Sequence, residues 1–228
     1  MNQIRENQNL KLAMFDLDNT LLPFDSDKSW NLFLAGKEVV NHREFLEKSN
    51  AFYEDYINEK LDIREYNRFS LNILKTYPLK KILHIRAEYL EEIIRPAITP
   101  AVKLFIKNYK NQGFTCLIVT ATNTFIGDSI GNMFDMDACI GCQPEIIEGK
   151  YTGELVGTPS YREGKVIALQ EWIKIQNRPI VETHFYSDSI NDKPLLEWVD
   201  KAFVVNPDKK LEKLAAIRGW PEISFQHQ

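Results

Sequence analysis

Strand patterns and helix patterns alternate along most of the chain, and one long stretch after the first strand carries helical patterns alone. Together these observations predict an α/β fold: a Rossmann-like, three-layer α/β/α parallel-sheet core with an inserted helical cap. The expected division places residues 1–24 and 96–228 in the core and 25–95 in the cap. A chain of 228 residues is long enough for both units.

Lys11 to Phe15 is a short apolar-rich segment ending at Asp16, which reads as a buried strand, and Asp18-Asn19 is turn chemistry. From about Asp27 to Arg95 no strand pattern occurs. Phe45, Ser49, Phe52 and Tyr56 recur at helical spacing, as do Ile82, Ile85, Tyr89 and Ile93, and Pro96 and Pro100 punctuate the return to the core. Pro100 to Asn111 is a helix stopped by Gly113. Phe114 to Thr120 is β-branched and nearly all apolar, as suits a strand covered on both faces. Ile146 to Glu154 reads as a hairpin turning at Glu148-Gly149-Lys150. Lys165 to Gln176, Ile190 to Val199 and Asp208 to Ile217 read as helices, Thr183 to Ser187 and Lys201 to Val205 as strands, and Trp220 to Gln228 as a surface segment.

Composition narrows the function. A net charge of −4 gives no electrostatic case for a nucleic-acid partner, and no polybasic tract suggests an anionic membrane surface. No apolar run is long enough to span a bilayer, and Met1 to Leu10 lacks the apolar centre of a signal peptide, so a cytoplasmic protein is expected. Cys116, Cys139 and Cys142 are too few for a disulfide framework. Cys139 and Cys142 form a lone CxxC with no second pair and no matched histidines nearby. They read as two small residues near the end of a buried strand rather than as a redox pair or half a metal site. The histidines are scattered, and His84 reads as cap-helix surface.

The chemistry-bearing residues lie where predicted strands end or helices begin. Asp16 and Asp18 are two apart, so both can face one site at the carboxyl end of the first strand, where open α/β sheets bind ligands. Close carboxylates repel unless a cation lies between them, and magnesium suits such a pair. Thr120 ends the strongest strand; its hydroxyl and the following N–H groups can hold a phosphate oxygen, while Thr122 and Asn123 read equally as helix caps. Lys165 stands at a helix start, where the macrodipole does not call for a cation, and can neutralise a phosphate and an aspartate together. Asp188 can ligate the cation, with Asp192 orienting its water ligands.

In that order the segments Phe15 to Leu22 (FDLDNTLL), Thr120, Lys165 and Ser187 to Asp192 (SDSIND) resemble the four motifs of the haloacid dehalogenase superfamily, on its phosphatase side. The cap position and the stretch Glu148 to Gly157 are most similar to the phosphoserine phosphatase-like branch. The resemblance implies a Mg2+-dependent phosphomonoesterase acting through an aspartyl-phosphate. Asp16 is then the nucleophile and Asp18 the general acid and base. Asp16, the carbonyl of Asp18 and Asp188 hold the metal, and Thr120, Lys165 and Asn191 hold phosphoryl oxygens. Asp18 separates this pattern from the metal-free dehalogenases.

The cap is expected to choose the substrate, a small-molecule phosphomonoester. Asp25 or Asp27 can face a cationic amino group with Trp30 walling the site, or can simply be an acidic first turn with Trp30 in the cap core. Arg64 and Arg68 lie on a cap helix without a discernible role. Ala121-Thr122-Asn123 stands where phosphoserine phosphatases are Gly-rich, which leaves an amino-alcohol phosphate such as histidinol phosphate open beside phosphoserine. A phosphotransferase and a non-catalytic phosphate-binding module are the competing readings.

Overall fold

The computed structural model describes residues 9–37, 39–40 and 42–225. The expectations for Met1 to Gln8 and for His227 lie outside those residues. The core is one seven-stranded sheet in the order β4-β3-β2-β1-β5-β6-β7, parallel throughout except between β3 and β4.

Strand β1 (Leu10–Phe15) lies near the middle of the sheet. Its side chains alternate between two apolar clusters: Ala13 and Phe15 join one, Leu10, Leu12 and Met14 the other. The alternation follows from the two-residue period of a strand, and it requires cover on both faces. The helical stretch comes next: α1 (Ser26–Gly36), α2 (His42–Ile57), α3 (Ile63–Thr76) and α4 (Leu79–Tyr89). The last runs through a π-helical turn, Leu90–Ile94, into the short α5 (Arg95–Ala97). Asp25 and Asp62 cap α1 and α3 by accepting from first-turn N–H groups, which fixes where each helix starts.

Helix α6 (Pro100–Asn111) has Thr99 as its cap, Pro100 at its first position and Gly113 just past its end at φ +82°. Strand β2 (Thr115–Asn123) then runs three residues beyond its expected end. Helix α7 (Thr124–Met133) follows the helix caps read at Thr122 and Asn123, and the first half of β3 (Ala138–Ile147) carries the buried strand read around Cys139 and Cys142; the sequence reading sets bounds for neither. The first half of β3 pairs with β2; the second half pairs antiparallel with β4 (Lys150–Val156), as the hairpin reading expects. Glu148 and Gly149 turn the chain at φ +51° and +76°. The hairpin leans on α3, where Arg68 pairs with Glu154 at 3.0 Å.

Helix α8 (Glu163–Gln176), strand β5 (Ile180–Ser187), a 3-10 turn at Ile190–Asp192, helix α9 (Lys193–Trp198), strand β6 (Lys201–Val205) and helix α10 (Lys209–Arg218) complete the alternation. The tail differs from expectation. β7 (Glu222–Ile223) adds a strand beside β6, and Phe225 is buried with its ring 5.0 Å from Phe105. Covering apolar surface on α6 outweighs solvating that aromatic ring. Cys139 and Cys142 sit in the first half of β3, Cys139 one residue from its start, and all three cysteines are free. His84 is exposed on α4. No helix among the described residues is long and apolar enough to cross a membrane.

Candidate active site

Chain direction in the sheet sets the site. β2 lies on one side of β1 and β5 on the other, so the crevice at their carboxyl ends is a topological switch point. Asp16 is the first residue past β1. Its N–H donates to the Tyr186 carbonyl at 2.9 Å, which carries the β1–β5 ladder up to the crevice. The chain then turns sharply, with Asn19 at φ +56°. That turn brings Thr20 back beneath Asp16, where its hydroxyl lies 3.4 Å from Asp16 Oδ2 and 3.5 Å from Asp188 Oδ1.

Lys165, two residues into α8, is buried and reaches across the crevice. Its ammonium donates to Asp16 Oδ1 at 2.7 Å and sits 2.6 Å from Asp192 Oδ1. Ser187, the last residue of β5, donates to Asp192 Oδ2 at 2.7 Å. Asp18 is held from two sides, by the Ser26 N–H at 2.7 Å and the Thr122 hydroxyl at 2.8 Å. Thr120 Oγ1 accepts from Thr122 N–H at 3.1 Å. Asp16, Asp18, Thr120, Lys165 and Asp192 line one cavity, roofed by the helical stretch through Asp25, Asp27, Lys28, Phe52, Tyr53 and Tyr66.

The site is overloaded with carboxylates. Burial pushes the Asp16 carboxyl up to about 7, with Lys165 pulling it back and Asp192 and Asp18 adding to the rise. Burial also takes Asp18 up to about 7, reinforced by Asp25 and opposed by the bonds from Ser26 and Thr122. Asp188 is raised well above its ordinary value by burial, then by Asp16 and Asp192. For Lys165 burial works downward, but Asp16 and Asp192 outweigh it and the net shift is upward. One ammonium among four carboxylates leaves an excess of negative charge that a divalent cation would relieve.

Among the described residues, no three His, Cys, Asp or Glu side chains form a group that could hold a metal ion. Asp16 and Asp188 with one backbone carbonyl are nevertheless the kind of sparse oxygen set that magnesium takes, completing its shell with water. The donors therefore fit that ion.

Three expected residues are placed differently from the rest. Asn191 is not among the residues lining the cavity; its amide is taken up by neighbours, two of which, Tyr161 and Tyr56, do line it: Oδ1 accepts from Arg162 Nε at 3.1 Å and Tyr161 OH at 3.3 Å, and Nδ2 donates to the Tyr56 carbonyl at 3.4 Å. Trp30 is not a cavity wall. It is 2% exposed and packs with Phe33 stacked on it, Tyr89 edge-on and Phe125 of α7 tilted against it, because its α1 face meets an apolar interior. Asp188 is not among the residues lining the cavity and accepts from the Thr20 hydroxyl at 3.5 Å. Arg64 and Arg68 are engaged with the Gly157 carbonyl and Glu154.

Sequence reasoning missed Thr20, Ser26, Thr122 and Ser187 as partners of the aspartates. Thr20 and Ser187 lie inside the quoted motifs and were legible there; Ser26 and Thr122 carry no local signal, since only folding brings them to Asp18. Removal from water pushes the Cys142 thiol up to about 12, as expected of an unreactive core cysteine.

The haloacid dehalogenase-like hydrolase family model matches residues 13–197. A histidinol-phosphatase from Neisseria meningitidis serogroup C (strain 8013) is 38% identical over 94% of this chain and 99% of its own length. A solved protein of unknown function from Bordetella pertussis Tohama I superposes with a TM-score of 0.89 at 35% identity, covering 96% of this chain and 100% of that one. A phosphoserine phosphatase solved as a phospho-aspartyl intermediate analogue shares the fold, with a TM-score of 0.66 at 20% identity over 95% of this chain and 94% of that one. On the family match and the near full-length relative together, the chain belongs to the haloacid dehalogenase-like hydrolases and is a phosphatase of that family.

Proposed function

We propose that the protein hydrolyses the phosphomonoester of a small amine-bearing metabolite in two displacements, with histidinol phosphate the first candidate. The observation that carries this reading is the convergence of Asp16, Asp18, Lys165 and Asp192 on one cavity that the helical stretch closes with Asp25 and Asp27. Asp16 attacks phosphorus and forms an aspartyl-phosphate, dividing one difficult displacement into two easier ones. Asp18 gives a proton to the departing alcohol and takes one from the water that cleaves the intermediate. Lys165 aims Asp16 and meets the phosphoryl charge, and Thr120 supplies a hydroxyl beside it. Asp192, held by Lys165 and Ser187, keeps that ammonium in line.

Phosphatases of this family in general use Mg2+. Here Asp16, the Asp18 carbonyl and Asp188 would hold it, with Asp192 nearby to orient its waters; when bound it offsets the phosphate charge that would repel a carboxylate.

Residues 25–95 act in this reading as the substrate-selecting cap. Asp27 is raised well above its ordinary value by burial, then by Asp25 and Asp18, so an ammonium entering beside the pair would be strongly favoured. Phe52, Tyr53 and Tyr66 offer flat surface to a ring such as the imidazole of histidinol. The name of the Neisseria relative supports the same substrate.

The test is a panel of phosphorylated metabolites assayed with and without Mg2+, beside Asp16→Asn. Expected are Mg2+-dependent phosphate release, preference for amine-bearing esters, and loss of turnover in the variant with the fold retained. Turnover by Asp16→Asn above a trace would refute the nucleophile assignment.

A further inference from the structure

Thr122 has no part in the reaction as set out above, yet its side chain is committed. It is 1% exposed, lies on the cavity wall, and its hydroxyl donates to Asp18 Oδ2 at 2.8 Å. Asp18 Oδ1 accepts from Ser26 N–H at 2.7 Å. The two donors belong to different elements, β2 and the start of α1, so the carboxyl cannot rotate about its long axis without losing one of them. A capping role does not account for Thr122: the residue that caps α7 is Asn123, whose side chain makes no cap bond.

The hydroxyl is itself held firmly. Thr122 N–H donates to Thr120 Oγ1 at 3.1 Å, and Ser26 Oγ lies 3.4 Å from Thr122 Oγ1. On the neighbouring strand Gly141 allows close approach; a Cβ there would lie 2.5 Å from the Thr122 carbonyl. Branching at Cβ further limits the rotamers open to Thr122.

We propose that Thr122 is the positioning residue of Asp18, aiming its carboxyl at the leaving oxygen and stabilising the carboxylate left behind. This rests on the reading of Asp18 as the acid. In the first displacement an Asp16 oxygen forms a bond to phosphorus, and the bond from phosphorus to the ester oxygen breaks. The electron pair of the broken bond stays on that oxygen, which takes the proton from Asp18. Asp18 thus changes from a neutral carboxyl to an anion while Thr122 donates to it. A hydrogen bond to an ionised acceptor is the stronger one, so this contact tightens as the barrier is crossed, the condition under which a contact accelerates a step.

The experiment compares kcat/KM on an alkyl ester, phosphoethanolamine or histidinol phosphate, with kcat/KM on p-nitrophenyl phosphate, whose leaving group departs without a proton. General acid catalysis is worth about 100-fold or more, so Thr122→Val, which keeps the shape and removes the donor, is expected to lower the alkyl-to-aryl ratio by about 10-fold. Thr122→Ser should restore the ratio, and Thr122→Ala should repeat the loss should the valine variant fold poorly. Equal losses on both esters, or an unchanged ratio, overturn the proposal. Asp18→Asn separates the two claims. A lowered ratio there with none in the Thr122 variants sinks Thr122 alone; no lowering there sinks the acid role and the proposal with it.

Discussion

Lys165 holds its ammonium 2.7 Å from Asp16 Oδ1 across 149 positions of sequence. The same nitrogen sits 2.6 Å from Asp192, and both Lys165 and Asp192 have side chains only 3% exposed. Removing one member of a buried ionic group leaves the others uncompensated, which typically costs about 3–5 kcal/mol. Lys165→Met should therefore lose that much stability in urea unfolding at neutral pH, together with nearly all activity. An unchanged unfolding midpoint would mean that water compensates the two carboxylates in place of the lysine.

Asp25 and Asp27 are both on the cavity but are held differently. Asp25 Oδ1 caps α1 through Lys28 N–H at 2.8 Å; Asp27 Oδ1 accepts from Asn123 Nδ2 at 3.2 Å. Asparagine caps a helix about as well as aspartate, so Asp25→Asn leaves the fold intact. If the pair faces an ammonium, Asp25→Asn and Asp27→Asn raise KM for amine-bearing esters by about 10-fold or more per lost charge contact, at about 1.4 kcal/mol per tenfold, and spare esters without an amine. Steady-state kinetics on phosphoethanolamine and a non-amino phosphate decides it: parallel changes would assign both residues to helix architecture.

The sequence made the floor of this site legible because Asp16 and Asp188 each directly follow a strand, Leu10–Phe15 and Ile180–Ser187, and Asp18 and Asp192 lie within a few residues of them. The roof was less legible. Trp30 and Asp27 lie three positions apart on α1, and only the packing of Phe33, Tyr89 and Phe125 decides that the indole faces away from the cavity. The start of helix α7 is legible in its caps but its extent is not, because Gly127 and Gly131 weaken its helical pattern. Both lie where the helix presses on the sheet: a Cβ at Gly127 would come 3.1 Å from Cys139 Sγ, and one at Gly131 3.6 Å from an Ile118 methyl. The motif position of Asn191 suggests a phosphate contact, but the guanidinium of Arg162, 29 residues earlier in the chain, donates to its amide oxygen.

Glu182 gathers charge at the opposite end of β5. It accepts from Lys201 at 2.9 Å and from His184 Nε2 at 3.0 Å, with Lys11 at 3.3 Å. The Lys201 bond is the largest effect; burial opposes it, and the bonds from His184 and Lys11 add to it, so that together they hold the carboxyl down at about 2. A carboxyl depressed on folding adds stability that is fully present above its ordinary value of 4.5 and fades as pH falls through about 2. The unfolding midpoint of Glu182→Gln should therefore lie below the native one at pH 7 and converge with it as the acid limit is approached. Exposed pairs are screened, so added salt should narrow the gap at pH 7. A gap that persisted unchanged at pH 2 would show that the glutamine disturbs packing rather than charge.

Gly164 tests how finely Lys165 is placed. A Cβ at Gly164 would lie 2.0 Å from the Pro159 carbonyl, a backbone atom that cannot swing aside as a side chain can. Gly164→Ala must then shift either the loop or the first turn of α8, and overpacking of this kind costs about 1–3 kcal/mol. The turn that moves carries Lys165, and displacing a positioning group by about 1 Å can cost as much as 100-fold in rate. Gly36→Ala is the matched control: nothing lies within 4 Å of its added Cβ, and it sits at the far end of α1 from the cavity. The expected result is a loss of kcat in Gly164→Ala larger than its shift in unfolding midpoint explains at the assay temperature, with Gly36→Ala unchanged in both. Full activity in Gly164→Ala would mean that the loop alone yields and that the lysine is insulated from it.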